Sequence, residues 1–331
     1  MSSYRSAGVS LDGADRHVDA IAPLVTSTWT SSVRGTFGGF AAGIKIPPGY
    51  QNPILMMTTD GVGTKLELAR QTGRWDGIGS DLVAMVVDDL AASGATPLGL
   101  VDYMAVGALD PERDTRVVAS IAAACRDAGV VLLGGETAEH PGVMEADQID
   151  LAAAALGVVE EGAELGPARV SEGDLVVGLL SPNLRSNGFS LVRRIVASRD
   201  LDEPVRGEAA SLGEVLLRPS LIYAPVVQPV LRFCHAAVHV TGGGLSGNLP
   251  RVLPNGLGAK IDSRRWQVPP IFYRLREWGG IPEEELFSVF NMGIGFCLLV
   301  PPDSLEQVMA TTRGVVIGGV TTGSGVELSS R

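Results

Sequence analysis

Short apolar runs alternate with stretches of helical periodicity along most of the chain. Between about residues 46 and 168, Ile54-Leu55-Met56-Met57, Val130-Val131-Leu132-Leu133 and the run from Leu151 to Val159 read as strands, with helical patterns between them. Polar residues, Gly and Pro gather at 162–173, which predicts a domain boundary. A second unit opens with Leu175-Val176-Val177-Gly178-Leu179-Leu180. It continues with a helix from about Phe189 to Ala197, strands at Ala237 to Val240, Ala259 to Asp262 and Gly293 to Val300, a helix near Ser304 to Thr311, and a last strand at Val315 to Val320. Residues 1–45 carry no sustained periodicity, and Gly35, Gly38, Gly39 and Gly43 cluster around Phe37 and Phe40, so this segment reads as a mobile glycine-rich arm. The expected organisation is that arm, a first domain over 46–168 and a second over 169–331.

Composition narrows the function classes. A chain of 331 residues exceeds what one hydrophobic core usually organises, and 45% apolar against 19% charged residues excludes a disordered chain. The net charge of -11, with lysines only at 45, 65 and 260, excludes a general nucleic-acid binder, which needs clustered cations to displace counterions. Small anions remain open, since local cations, backbone N–H groups and metal ions hold them within acidic proteins. Cys125, Cys234 and Cys297 are far apart in apolar contexts, which suits core packing and neither a disulfide framework nor a zinc knuckle. No basic segment leads into an apolar one at the N-terminus, and no apolar stretch nears the roughly 18 residues of a membrane span, so a cytoplasmic protein is expected.

Three segments of the first unit place acids beside bare backbone. Thr59-Asp60-Gly61-Val62-Gly63-Thr64-Lys65 follows a strand; its glycines admit phosphate oxygens, Thr64 brings a hydroxyl, Lys65 a cation and Asp60 a hard oxygen ligand for Mg²⁺. It lacks the glycine spacing of a Walker A loop, and a plain turn would use the same glycines. In the helical run Ser80 to Leu90, Asp81 and Asp88 are seven residues apart and share one helical line, with Asp89 roughly 80° round from them. Acids inside so apolar a helix call for a cation, unless they form a solvated face. Leu132-Leu133-Gly134-Gly135-Glu136-Thr137-Ala138-Glu139-His140 carries a carboxylate past the end of a strand, where α/β sites form. Asp60, Asp89 and Glu136 make sense together as oxygen ligands for Mg²⁺ bridging nucleotide phosphates.

The second unit offers loops suited to an anion. Pro182 to Ser190 contains Arg185-Ser186-Asn187-Gly188 ahead of a helix, whose N-terminal amides meet anions, although an ordinary Ser/Asn cap uses the same residues. Thr241-Gly242-Gly243-Gly244 follows a strand, and three successive glycines suggest close approach to a ligand. Asn291, in Phe290-Asn291-Met292-Gly293, can donate and accept toward a heterocycle or can simply form a turn.

In order, Asp60-Gly61-Val62-Gly63-Thr64-Lys65, the helix from Asp81 to Leu90, Gly134-Gly135-Glu136-Thr137-Ala138-Glu139, Ser186-Asn187-Gly188-Phe189-Ser190, Thr241-Gly242-Gly243-Gly244 and Phe290-Asn291-Met292-Gly293 resemble the phosphoribosylformylglycinamidine cyclo-ligase family, from Tyr4-Arg5-Ser6-Ala7-Gly8-Val9 to the last strand. The resemblance implies an α+β fold of two domains. The first, a mixed sheet with helices, would pair with its copy in a homodimeric barrel and bind ATP and metal; the second would be a layered domain binding substrate and nucleotide, with ATP and substrate meeting in the cleft between these parts. It implies ATP-dependent closure of formylglycinamidine ribonucleotide to aminoimidazole ribonucleotide, with ADP and phosphate released. It assigns Asp60, Asp89 and Glu136 to Mg²⁺, and Gly61, Gly63, Thr64, Lys65 and Asp81 with them to ATP. Ser186, Asn187, Gly188, Thr241, Gly242, Gly243, Gly244 and Asn291 fall to the ribonucleotide, and Lys65, Asp89 and Arg185 to catalysis.

Two positions depart from the family. Many relatives have His before the Ser-Asn-Gly where this chain has Arg185, which removes a histidine base from that position and supplies a forked cation able to clamp a phosphate. Asp88 stands where Asn is usual and adds a negative charge beside the expected metal. Thiamine-monophosphate kinases and selenophosphate synthetases share the phosphate-metal logic but fit the Ser-Asn-Gly and Phe-Asn-Met-Gly motifs, or the glycine-rich arm, less well. A catalytically silent nucleotide-binding dimer, in contrast, would bind ATP without substrate-dependent ADP release.

Overall fold

The computed structural model describes residues 11–329, so the Tyr4 to Val9 motif lies outside the described residues. Much of the segment expected to be an arm is ordered structure. Helix α1 (Leu11–Thr26) buries His17 and Val25, and a short ladder joins β1 (Val33–Arg34) to β2 (Gly43–Ile44). His17 Nε2 lies 3.2 Å from Thr137 Oγ1, and Trp29 Nε1 donates to the Leu132 carbonyl at 2.8 Å. Gly13 and Pro23 fall inside α1 and dilute its apolar period, which hides the helix from a reading of the sequence.

The first half continues through β3 (Pro53–Gly61), α2 (Lys65–Thr72), α3 (Ile78–Ala92), β4 (Thr96–Val106), α4 (Pro111–Ala128), β5 (Val131–Glu139) and β6 (Ile149–Glu160). Its strands form one mixed sheet, β3-β6-β4-β5, in which only β4 and β5 run parallel. Local chemistry fixes the helices between them. Asp110 caps α4 by accepting from the amides of Glu112 and Arg113, Pro111 occupies the first turn, and Gly129 ends the helix at φ 68°. One face of the sheet packs on α3, while the other leaves Leu55, Met57, Val101 and Tyr103 exposed by 52, 75, 43 and 45%.

The second half comprises β7 (Leu175–Leu180), α5 (Phe189–Val196), α6 (Leu212–Leu216), α7 (Ala224–Val227), β8 (Ala236–His239), α8 (Gly244–Asn248), β9 (Leu257–Asp262), α9 (Pro270–Gly279), α10 (Glu283–Val289), β10 (Ile294–Val300), α11 (Leu305–Thr312), β11 (Val315–Thr322) and β12 (Gly325–Ser329). These strands build a second mixed sheet, β12-β9-β11-β7-β10-β8, antiparallel except between β12 and β9. Every residue of β10 is buried, as its continuous apolar run predicts for a central strand.

Helix α3 joins the halves. It packs on β3, β4 and β6 of the first sheet and on β8 and α7 of the second half. Gly79 allows its approach to α4, because a Cβ there would sit 2.1 Å from the Ser120 carbonyl carbon. With both flanks covered, 12 of its 15 residues are buried, so any acid it carries must find partners. Among the described residues no helix is long and apolar enough to cross a membrane.

Candidate active site

The cations demanded by the acids of α3 are protein side chains in two of three cases. Asp81 meets Lys65 Nζ at 2.7 Å and accepts from the Ser220 amide and hydroxyl, with both members of the ion pair fully buried. Lys65 also donates to the carbonyls of Arg185 and Arg218 at 3.1 and 2.9 Å. An ammonium has three donors, and all three are engaged. The expectation that Lys65 and Asp81 serve ATP phosphates is therefore corrected: they form an internal clamp between α3 and the loops at 185 and 218.

Asp88 is likewise paired, accepting from Arg185 Nη2 at 2.8 Å and from the amides of Tyr223 and Ala224. Arg185 is 1% exposed and also donates to the Leu221 carbonyl, so it does not reach a phosphate as a surface clamp. Its backbone sits at φ 60°, a conformation that side chains other than glycine adopt sparsely.

Asp89 differs, opening toward a groove between the halves. Its Oδ1 accepts from His239 Nδ1 at 2.9 Å and its Oδ2 from Thr58 Oγ1 at 3.3 Å. Burial pushes its pKa up, but the hydrogen bonds and charge around it, His239 foremost, outweigh that and leave it below the usual carboxylate value. Asp60, at the end of β3, is raised: burial dominates, the Gly61 amide opposes it, and the charge of Asp89 adds to it. The two carboxylates are therefore neighbours in different settings, Asp60 raised chiefly by burial and Asp89 lowered by the donors and charge around it. A cavity of about 330 Å³ beside them is lined by Asp89, Thr58, His239, Asn248 and Arg251.

Glu136 stands elsewhere. Strand register aligns Gly61 with Ala152, Ala152 with Tyr103, and Tyr103 with Glu136, which is thus three strands, about 14 Å, across the sheet. Side chains alternate faces, so Glu136 shares the outer face with Tyr103 whereas Asp60 looks toward α3. The expected triad of Asp60, Asp89 and Glu136 is not gathered within one chain, and among the described residues no group of three or more His, Cys, Asp or Glu could hold a metal ion. Glu136 instead lines a separate cavity of about 660 Å³ under α1, with His17, Phe37, Asp102 and Thr137.

The loops of the second half divide similarly. Ser186 Oγ is buried without a partner, ahead of α5, while Thr64 Oγ1 and Ser190 Oγ approach to 3.2 Å between the two halves. Asn187 lies beside Gly242, where a Cβ would meet its Oδ1 at 3.7 Å and nothing nearer. Other glycines are required by packing: a Cβ at Gly244 would sit 2.2 Å from the Phe287 carbonyl oxygen, and one at Gly188 would sit 2.5 Å from the Phe290 ring. Thr241 donates to Asn248 Oδ1, and Asn248 Nδ2 caps the carbonyl of Gly244 at 2.8 Å, buckling the glycine loop. Asn291 is committed internally, donating to the Asn183 carbonyl and accepting from the Gly293 amide, so its assignment to the ribonucleotide is corrected to a turn.

Comparison with known proteins agrees with this architecture. Profiles described as AIR synthase related protein, N-terminal domain, and AIR synthase related protein, C-terminal domain, match residues 40–159 and 171–330. A phosphoribosylformylglycinamidine cyclo-ligase of Parasynechococcus marenigrum is 44% identical over 329 residues, 98% of this chain and 96% of its own. That of Thermosynechococcus vestitus is 45% identical, with 97% of each chain covered. The chain belongs to the phosphoribosylformylglycinamidine cyclo-ligase family. Among solved structures, thiamine-monophosphate kinase from Stenotrophomonas maltophilia shares the fold at TM-score 0.71 and 20% identity over 97% of each chain. A hydrogenase maturation protein HypE in complex with ATP does so at TM-score 0.65 and 21% identity, covering 93% of this chain and 83% of its own.

Within this cyclo-ligase family member, His239, Asn248 and Arg251 are groove residues to which the sequence reading assigned no role. The one local signal was for His239, a polar residue closing an apolar strand directly before the Thr241 to Gly244 loop.

Proposed function

We propose that the groove between the two halves is where this chain carries out ATP-dependent closure of formylglycinamidine ribonucleotide to aminoimidazole ribonucleotide, the purine-biosynthetic ligase reaction of its family. The carrying observation is the pair of neighbouring carboxylates Asp60 and Asp89, the second of which lines a groove between the halves with Thr58, His239, Asn248 and Arg251. Mg²⁺ is commonly held by one or two carboxylates, with phosphates and waters completing its shell, so these two acids fit it without a third protein ligand. When bound, the ion neutralises phosphate charge during transfer.

Gly61, Gly63 and Thr64 stand beside Asp60, with Gly63 at φ 69° and nothing near its missing Cβ, which suits them to ATP phosphates. The ATP named with the HypE relative in fold supports the same cosubstrate. The unpartnered Ser186 hydroxyl and the exposed edge of Gly242 suit the ribonucleotide, and Arg251 supplies a cation to the groove lined by Asp89. Transfer of the γ-phosphoryl group from ATP to the amide oxygen, with release of ADP, makes that oxygen a leaving group; an amidine nitrogen then attacks the carbon and phosphate departs. The exposed apolar face of the first sheet supports a homodimer built by pairing this face with its copy. Met57→Lys should shift the sedimentation coefficient from dimer to monomer; an unchanged dimer refutes that interface.

The activity is tested by supplying ATP, Mg²⁺ and formylglycinamidine ribonucleotide and following the aminoimidazole by diazo colour. Colour matched by ADP release supports the reading. ATP binding without substrate-dependent ADP release favours a silent nucleotide-binding dimer.

A further inference from the structure

Asp88 and Arg185 face each other, and their contact reaches the groove through His239. Both side chains are fully buried at 2.8 Å separation. The same Arg185 Nη2 lies 2.9 Å from His239 Nε2, and the guanidinium rests on the Tyr223 ring at 4.8 Å from its centroid. A guanidinium has no acceptor and stays protonated in proteins, so His239 Nε2 must accept. The proton of the neutral ring then sits on Nδ1, which faces Asp89 Oδ1 at 2.9 Å. Free imidazole leans the other way, so a partner must hold this form.

We infer that Asp88, Arg185 and His239 form a buried positioning relay that locks His239 with its proton on Nδ1 and thereby aims the Asp89 carboxylate into the groove. Each member has a reason to be where it is. Asp88 is fixed by the amides of Tyr223 and Ala224, and it orients the fork of Arg185. Arg185 keeps a left-handed backbone at φ 60° to bring that fork inside. His239 is held from behind by Phe296, stacked at 6.4 Å between ring centroids. Asp88 and Arg185 depend on each other: the Arg alone would be an uncompensated buried cation, and the Asp alone an uncompensated buried anion. Arg185 acts through His239 and touches no reacting atom, which makes it a positioning residue.

The direction of the relay is independent of the proposed function; its consequence for turnover rests on the reading of Asp89 there. With only four histidines in the chain, ¹⁵N-labelled histidine spectra resolve each ring, and His239→Asn identifies the His239 signals by their loss. The expected spectrum shows Nδ1 protonated and Nε2 bare. A dominant Nε2–H form overturns the relay whatever the kinetics show. For turnover, His239→Asn sets an amide N–H near the place of Nδ1, whereas His239→Gln sets one near Nε2. The Asn variant should lose only a few-fold in kcat and the Gln variant roughly 10–100-fold, as for outer partners of a ligand carboxylate. Equal turnover of the two at equal folded fraction overturns the positioning of Asp89. Absence of ring closure in the unsubstituted chain would instead strike the proposed function and leave the spectrum to decide the relay.

Discussion

Replacing Lys65 by Met separates an internal clamp from a phosphate contact. The ammonium is fully buried, 2.7 Å from Asp81 and bonded to the carbonyls of Arg185 and Arg218. Burial pulls its pKa down and Asp81 offsets part of that, so the cation depends on this partner. Removing one member of a buried pair typically costs about 3–5 kcal/mol. Asp81 would keep its two bonds from Ser220, at 3.0 and 2.6 Å, which points to the lower end, about 3 kcal/mol. In the double variant with Asp81→Asn neither position leaves an unpaired buried charge and Ser220 still has its acceptor, so the loss should fall to about 1–2 kcal/mol, well below the sum of the single losses. Urea unfolding followed by tryptophan fluorescence measures all three, and the KM for ATP is measured on folded material. A Lys65→Met variant with unchanged midpoint and a KM for ATP raised tenfold would refute the clamp and restore the phosphate role.

Other outcomes follow from the same structure. Burial pushes the Asp102 carboxyl up to about 7, so its contribution is fully present below the ordinary Asp value near 3.8 and lost as pH rises through about 7. Asp102→Asn should therefore raise the melting temperature at pH 8 and leave it nearly unchanged at pH 4; equal shifts at both would contradict the raised value. Gly244→Ala should lower stability by about 2 kcal/mol or more, since its Cβ would strike the Phe287 carbonyl oxygen at 2.2 Å. Gly242→Ala should keep the fold and raise the KM for the ribonucleotide instead, and the reverse pattern, read by unfolding and steady-state kinetics, would show the loop misassigned.

Legibility in the sequence followed the range of the interaction. The strand Leu175–Leu180 and the helix Phe189–Val196 announce themselves because their burial is periodic or continuous along the chain. Strand β4 does not: Pro97 and Gly99 sit within it, with a register shift between them, and its buried and exposed positions do not alternate cleanly. That α3 needed cations was readable from its apolar setting, yet which cations was not. Arg185 comes from 97 residues further along, and no local pattern links it to Asp88. The grouping of Asp60 with Asp89 was readable from residue type alone, whereas Glu136 was misgrouped because strand order, not sequence order, sets its distance. Asn291 shows the converse error, a local turn bond to Gly293 that resembles a ligand motif.

Asp89 bears most directly on the proposed chemistry, because Asn preserves its size and one acceptor but removes the charge opposite Asp60. Asp89→Asn should retain its unfolding midpoint and sedimentation behaviour while substrate-dependent ADP release falls to background. Near-normal release from that folded variant would contradict a magnesium nucleotide held at this groove.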